Sequence, residues 1–245
     1  MITALLHRFV LGGKNLSSEA ESNLTSEAEV YRDLIVLNNV TDSHDTLTQR
    51  TLQSFEYIIK HNYNFRYVFK CDDDTYTNLG KIVKELQERQ NHERVYWGEF
   101  LGATGIIREG PYAEEKWSIC DTYLPYAYGG GYILSRDLVE LLTINAPHLM
   151  VYKNEDVSVG TWLAPFNIEF QFDARFNTGA DSRGCKRQFI VIHKISPELM
   201  YDYFNAVKNS GYICTRKHRW FGWHGHIYNW KTLPSNCCKR RRRIP

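Results

Sequence analysis

Apolar runs alternate with helix-like segments through the first hundred residues, and this alternation constrains the fold more than any other feature of the sequence. Residues 48–59 place Leu52, Phe55 and Ile59 at helical spacing, and a second amphipathic helix follows Asn78, which is positioned to cap it. Strands separated by helices in this way are typical of a parallel α/β sheet covered on both faces. The predicted strands are residues 7–12, 32–37, 65–70 and 95–101.

The rest of the sequence is less regular but extends the same pattern. Ser135 and Asn154 are suitable N-caps for two further helices. Residues 189–193 form an apolar run that ends at a histidine, which predicts another buried strand. Residues 14–29 are polar and predict a loop or a surface helix.

The composition is that of an ordinary globular protein, with 43% hydrophobic and 24% charged residues. The formal net charge of +2 argues against a uniformly basic nucleic-acid-binding protein, so we expect no nucleic-acid partner. No repeat and no Pro/Gly-rich linker divides the sequence, which predicts a single domain over residues 1–245. Residues 239–245 form a basic tail that we expect to be solvated rather than to act as a nuclear signal or a polyanion-binding patch.

The cysteines and the potential glycosylation sites together indicate an oxidising compartment. The six Cys residues do not show the CxxC spacing of a zinc ribbon. Cys237 and Cys238 are adjacent and cannot readily bond each other, so the first expectation is that one of them pairs with Cys214. Acceptor sequons for N-glycosylation begin at Asn15, Asn23 and Asn39.

Three consecutive carboxylates, Asp72, Asp73 and Asp74, follow directly on the predicted strand 65–70. Like charges this close raise one another's pKa, and a divalent cation reverses that preference. Ligands of open α/β sheets bind at the carboxyl ends of strands, where the triplet lies. In an extended segment Asp72 and Asp74 would point the same way and Asp73 the other way, toward a ligand hydroxyl. The alternative is a solvated acidic turn that caps the following helix.

His193 and the pair Glu155–Asp156 complete the set of candidate chemical groups. A lone histidine is more often a hydrogen-bonded core residue than a ligand, but an imidazole beside carboxylates suits manganese better than calcium. Glu155 and Asp156 begin a predicted helix, whose N-terminal dipole favours ionised carboxylates. Such a group in a cleft can act as the general base for a hydroxyl, although an acid-rich first helical turn is the simpler alternative.

Three glycines, Gly129, Gly130 and Gly131, lie between tyrosines. Their spacing does not match the glycine-rich motifs of dinucleotide or P-loop sites. Glycines allow a backbone to approach a ligand closely, and a plain turn is the alternative. The position of Trp97 is also open, because its local sequence is compatible with either the core or a cleft.

Five motifs, in this order and at these spacings, make the sequence similar to the β-1,3-glycosyltransferases of GT-A fold, a group that includes galactosyl- and N-acetylglucosaminyltransferases and fringe. The resemblance runs from about Phe9 to Pro245, and its most discriminating parts are SRGC, WLAPFNIEFQFDARFNT and the C-terminal PSNCCKRRRRIP. It implies a Rossmann-type mixed sheet flanked by helices that lacks the first strand of the family. The motifs are YVFKCDDDTY, VYWGEF, LPYAYGGGYILS, NEDVSVGTWLAP and VIHK.

The resemblance also implies roles for the candidate residues in an inverting, metal-dependent hexosyltransferase. Asp74 and His193 would bind Mn²⁺ directly, while Asp72 and Asp73 would support the metal, the ribose and the phosphates of a UDP-sugar. Asp156 would be the catalytic base. The residues implied to line the sugar and acceptor subsites are Trp97, Gly129, Gly130, Gly131 and Glu155.

The implied reaction adds the second galactose of the glycosaminoglycan linkage region, from UDP-galactose to a β-galactosyl-xylosyl acceptor on a proteoglycan core protein. The alternatives are β-1,3-N-acetylglucosaminyl transfer, another galactosyl acceptor, or an inactive glycan-binding relative. The implied setting is the Golgi lumen, as a type II membrane protein whose anchor, stem and first strand would precede Met1. The family's Asn-Leu-Thr sequon is replaced here by Thr46-Leu47-Thr48.

Overall fold

The computed structural model describes residues 5–180, 183–214 and 232–239. Helices and strands alternate through most of this range. The helices are α1 (Ser18–Tyr31), α2 (Leu47–Lys60), α3 (Leu79–Glu88), α4 (Arg136–Asn145), α5 (Glu155–Leu163) and α6 (Pro197–Ser210). The strands are β1 (Phe9–Gly12), β2 (Leu34–Leu37), β3 (Tyr67–Cys71), β4 (Tyr76–Thr77), β5 (Val95–Leu101), β6 (Tyr126–Ser135), β7 (Glu169–Phe172), β8 (Phe176–Asn177) and β9 (Val191–Ile192).

The strands of the described residues form three small sheets, two of mixed direction and one parallel, which confirms the mixed α/β class and is consistent with a GT-A-like fold. The central sheet has the order β3-β6-β5-β7, with β6 antiparallel to both of its neighbours and β5 parallel to β7. Beside it are the parallel pair β1-β2 and the sheet β4-β9-β8. The expectation of a parallel sheet is therefore wrong for the central sheet, because β6 runs back between β3 and β5.

Strands β5 and β6 are buried and separate two apolar layers. Tyr96, Tyr132 and Leu134 face helices α2, α4 and α5. Trp97 and Ile133 face the opposite way, toward α3 and the sheet β4-β9-β8. Complete burial of a large apolar side chain contributes about 1.5–3 kcal/mol. The two strands thus anchor the fold: β3 pairs with β6 in the central sheet, and Val191 of β9 packs in the apolar cluster of Trp97 and Ile133.

Two predicted helices are confirmed almost to the residue. The helix expected at 48–59 spans Leu47–Lys60, and the side chain of Asn78 caps α3 by accepting a hydrogen bond from the Lys81 N–H at 3.3 Å. The polar segment 14–29 contains a surface helix, α1, capped by Ser17.

Helices α4 and α5 begin where expected, but without the predicted side-chain caps. The Ser135 hydroxyl instead accepts the N–H of Val95 at 2.9 Å, which ties β6 to the start of β5. The Asn154 amide donates to the carbonyl of Tyr112. Both side chains serve tertiary contacts in place of local ones.

A disulfide joins Cys185 to Cys214 with a Cα–Cα distance of 5.5 Å, so the expected bond from Cys214 to Cys237 or Cys238 is wrong. Helix α6 returns the chain to the segment before β9, and the bond closes an apolar cluster that includes Ile192 and Ile213. The three predicted glycosylation residues are all exposed, and most of the basic tail, residues 240–245, lies outside the described residues. Among the helices of the described ranges, none has the length and apolar character to cross a membrane.

Candidate active site

The acidic triplet and His193 meet because β4 and β9 pair side by side. Tyr76 of β4 lies opposite Ile192 of β9, and the N–H of Ile195 donates to the carbonyl of Asp74 at 2.9 Å. His193 Nε2 consequently lies 3.0 Å from Asp74 Oδ1 and 3.4 Å from Asp72 Oδ2.

The triplet itself forms a turn rather than the expected extended segment. The Thr75 N–H donates to the carbonyl of Asp72 at 3.1 Å, and this turn directs Asp72 and Asp74 toward the same histidine. Asp73 is exposed at the outer side of the turn. Its predicted contact with a ligand hydroxyl stays a prediction.

The charges in this cluster reinforce one another. Burial alone would lower the pKa of His193, but the hydrogen bond that its ring donates to Asp72 and the charges of Asp74 and Asp72 outweigh burial and raise it. Burial likewise opposes ionisation of Asp72, yet His193 and Lys70 bring the pKa of that carboxyl down to about 2. The cluster therefore presents an ionised oxygen ligand at any physiological pH.

Asp72, Asp74 and His193 each offer one ligand atom, and these atoms lie within 4.8 Å of one another. Two carboxylate oxygens and one imidazole nitrogen are a donor set that divalent transition metals accept. The three residues thus fit a divalent cation, and the structure brings together the set that the sequence proposed for one.

The glycine run lies inside strand β6, so the alternative of a plain turn is wrong. A Cβ atom on Gly130 would lie 2.5 Å from Cγ of His193, a distance no real side chain tolerates. A Cβ on Gly129 would meet the carboxylate of Asp156 at 3.5 Å, which is ordinary contact. Gly130 is therefore needed for the imidazole to lie against the strand, whereas Gly129 mainly brings the backbone close to Asp156.

Asp156 lies in the first turn of α5, with both carboxylate oxygens held by backbone N–H groups. Gly129 donates to Oδ2 at 3.1 Å and Val157 to Oδ1 at 2.8 Å. Burial, with the nearby Glu155 charge, raises the pKa of Asp156 to about 6, against the lowering effect of these N–H groups and of Lys70. Burial thus outweighs the N-terminal dipole of α5, which favours the ionised form. The side chain remains partly exposed and is ionised near neutral pH.

Lys70, which the sequence analysis missed, links the cluster of Asp72, Asp74 and His193 to α5. Its Nζ lies 2.8 Å from Asp72 Oδ1, 2.7 Å from the Gly129 carbonyl oxygen and 3.2 Å from Glu155 Oε2. Burial would lower the pKa of Lys70, but Glu155 and Asp72 outweigh it and raise it. The strand period of two places Lys70 on the side of Asp72, and this was the available signal.

Glu155 and Trp97, both expected to line a substrate subsite, are buried. Glu155 is 3% exposed and accepts a hydrogen bond from the Tyr132 hydroxyl besides its contact with Lys70. Trp97 is 0% exposed, and its indole N–H donates to Asp173 at 3.0 Å. Neither side chain has a surface to offer a sugar in this conformation, and contact of either with substrate stays a prediction.

Comparison with known proteins shows which family the sequence is similar to. A family model described as Galactosyltransferase matches residues 1–173, a range that includes the acidic triplet and Asp156. Beta-1,3-galactosyltransferase 6 of Mus musculus is 38% identical over 240 residues, which are 97% of this chain and 73% of that protein.

Two further relatives are similar over shorter parts of their length. Hydroxyproline O-galactosyltransferase GALT5 of Arabidopsis thaliana is 33% identical over 74% of this chain, and the match covers 27% of that protein. UDP-GalNAc:beta-1,3-N-acetylgalactosaminyltransferase 2 of Danio rerio is 30% identical over 60% of this chain and 30% of that protein. The chain thus spans under a third of either protein.

Proposed function

Since this chain belongs to the galactosyltransferase family of glycosyltransferases, we propose that it is an inverting β-1,3-galactosyltransferase that uses UDP-galactose and Mn²⁺. The observation that carries the proposal is the convergence of Asp72, Asp74 and His193 on one side of the Gly129–Gly130 backbone and of Asp156 beside the same backbone. A protein that only binds glycans has no need for the acidic triplet, His193 and Asp156 together, the last with a pKa raised to about 6.

Asp72, Asp74 and His193 are the residues that would hold the cation. Their mixed oxygen and nitrogen donors favour Mn²⁺ over Ca²⁺. A bound divalent cation supplies neutralising charge to the diphosphate of the leaving group. Lys70 keeps Asp72 ionised and oriented, and Asp73, which is exposed, is proposed to contact the nucleotide.

Asp156 is proposed to accept the proton of the acceptor 3-hydroxyl as that oxygen attacks C1 of galactose. A base is most effective when its pKa lies near the working pH, and such a group contributes typically about 10²–10⁴-fold to the rate. The N–H groups of Gly129 and Val157 fix both oxygens of the carboxylate, so the ionised group needs little reorganisation before it accepts the proton. One displacement of this kind converts the α-linked donor into a β-linked product.

The proposed acceptor is a β-galactosyl-xylosyl unit on a proteoglycan core protein. The name of the mouse relative supports the β-1,3-galactosyl linkage, and the SRGC and C-terminal motifs support the narrower acceptor. The Cys185–Cys214 disulfide and the exposed Asn15, Asn23 and Asn39 support a lumenal setting, for which we propose the Golgi.

A transfer assay tests this proposal. The protein is incubated with a β-galactosyl-xyloside and either UDP-galactose or UDP-N-acetylglucosamine, with and without Mn²⁺, and the product linkage is determined by NMR. We expect a β-1,3-linked galactose that forms only with Mn²⁺ and UDP-galactose. Transfer of N-acetylglucosamine would identify the other donor class, and acceptor binding without transfer would identify an inactive glycan-binding relative.

Two variants separate the proposed roles in that assay. Asp74→Ala should lose Mn²⁺-dependent UDP binding, whereas Asp156→Asn should lose turnover and keep UDP binding. Asp202→Asn, at an exposed position of α6, is the matched control and should behave as wild type. Loss of UDP binding in Asp156→Asn would contradict its role as a base.

A further inference from the structure

A buried ion pair lies behind the proposed cation site, outside the residues that the mechanism uses. Glu99 on β5 is 8% exposed and Arg183 is 7% exposed, and Arg183 Nη2 lies 2.9 Å from Glu99 Oε2. Removing two charges from water costs several kcal/mol per ion, roughly, and a well-packed hydrophobic pair would be as stable or more so. Stability alone is therefore a poor explanation for this pair.

The pair fixes the backbone of residues 176–178. Arg183 Nε donates to Asn177 Oδ1 at 3.0 Å, and its Nη2 also donates to the carbonyl of Phe176. Glu99 Oε2 accepts the N–H of Thr178 at 3.2 Å. The side chains of Glu99 and Arg183, which are joined by their own ion pair, thus hold three consecutive residues.

The same three residues support His193. The Asn177 carbonyl accepts the N–H of His193 at 3.0 Å, within the parallel pairing of β8 and β9. The Thr178 carbonyl oxygen lies 2.7 Å, and the His193 Nδ1 2.6 Å, from the point where a Cβ on Gly130 would be. The imidazole and the Thr178 carbonyl therefore lie against the same glycine, so the position of residue 178 limits where the ring can lie.

From these contacts we infer that Glu99 and Arg183 are positioning residues, which hold residues 176–178 so that the imidazole of His193 faces Asp72 and Asp74. The inference rests on the proposed function, because a fixed ring orientation matters when His193 binds a cation. It assigns this role to two residues that do not touch the cation or the substrate.

The two partners act as a unit. Burial raises the pKa of Glu99 to about 7, and the Arg183 charge and the Thr178 N–H oppose that rise. Without the guanidinium, Glu99 would lose its ion-pair partner and the carbonyl of Phe176 would lose this donor, while the amide oxygen of Asn177 would keep only the backbone N–H of residue 183. Changing either partner should therefore loosen the same segment.

Arg183→Lys tests the inference, because an ammonium group keeps the charge but cannot reproduce the planar fork of a guanidinium. Replacing a direct hydrogen-bond partner of a metal ligand typically weakens metal affinity about 10–100-fold. Because Arg183 acts on His193 through residues 176–178, we expect the lower end of that range, about 10-fold, for Mn²⁺. The readout is the electron paramagnetic resonance signal of free Mn²⁺ in a titration of the protein with Mn²⁺ alone.

Arg175→Lys is the matched control. The Arg175 guanidinium makes a similar fork, with Glu85 and Asp173, rather than with residues 176–178. We expect a lower melting temperature for both variants and weaker Mn²⁺ binding only for Arg183→Lys. Equal Mn²⁺ affinity in wild type and both variants would overturn the inference and leave the pair a structural role.

Glu99→Gln provides a second variant in case Arg183→Lys does not fold. It keeps the size and one acceptor oxygen of Glu99 but removes the charge, and we expect Mn²⁺ affinity to fall about 10-fold. Unchanged affinity in this variant would also overturn the inference. A wild-type protein that binds no Mn²⁺ would contradict the proposed function itself, which distinguishes the two failures.

Discussion

Asp156→Asn should make the protein more stable while it removes activity. Burial raises the pKa of Asp156 from an ordinary value of 3.8 to about 6, so ionisation of this group above that pH lowers the free energy of unfolding. A rise of about two pH units corresponds to about 3 kcal/mol. Asn keeps one oxygen for the N–H groups of Gly129 and Val157 but loses the second, which costs about 1 kcal/mol. We therefore expect a net gain of about 2 kcal/mol.

The sign of the pH dependence follows from the same values. Above the folded pKa of about 6 Asp156 is ionised in both states and the full cost is present; as pH falls toward 3.8 both states become protonated and the cost disappears. Urea unfolding of wild type and Asp156→Asn should thus show the largest difference near about pH 8 and almost none near about pH 4. Asp202→Asn is the exposed control. A difference that does not vary with pH, or a less stable Asp156→Asn at the higher pH, would refute the reasoning.

Three further outcomes are expected. The acidic limb of kcat/KM, which reports groups of the free enzyme, should have its midpoint at about pH 6, so that kcat/KM falls about tenfold from pH 7 to pH 5 as Asp156 gains a proton; a flat profile would exclude it as the base. Replacing Cys185 and Cys214 by Ser should cost about 3–4 kcal/mol in urea unfolding, from the separation of 29 residues; a change below about 1 kcal/mol would show that the bond constrains little. Gly130→Ala should weaken Mn²⁺ binding strongly because its Cβ would lie 2.5 Å from His193, and normal binding would contradict that contact.

The sequence predicts best where a segment's structure depends on its own residues. Helices α2 and α3 carry strong apolar periodicity and an Asn78 cap, and strand β5 was predicted at its observed bounds, 95–101. The direction of the central sheet could not be predicted in the same way. Strand β6 contains three glycines, which ordinarily weaken a strand, and here Gly130 is required by the imidazole of His193 packed against it.

In the candidate site, too, the features that depend on local sequence could be predicted and those that depend on tertiary contacts could not. The acidic triplet, His193 and Asp156 were proposed because of their chemistry and their positions at the ends of apolar segments. The contacts of Lys70 depend on residues 59 and 85 positions away in sequence, Gly129 and Glu155, so no local pattern reveals them. The partner of Cys214 was mispredicted for the same reason, because the return of α6 to Cys185 is a tertiary contact.

Anomalous diffraction from a crystal of the protein with Mn²⁺ and UDP-galactose tests the central claim most directly. We predict one strong manganese peak bounded by the side chains of Asp72, Asp74 and His193, with the galactose C1 facing the carboxylate of Asp156 across an open path for an acceptor hydroxyl. A manganese peak elsewhere, or a donor sugar turned away from Asp156, would contradict the assignment.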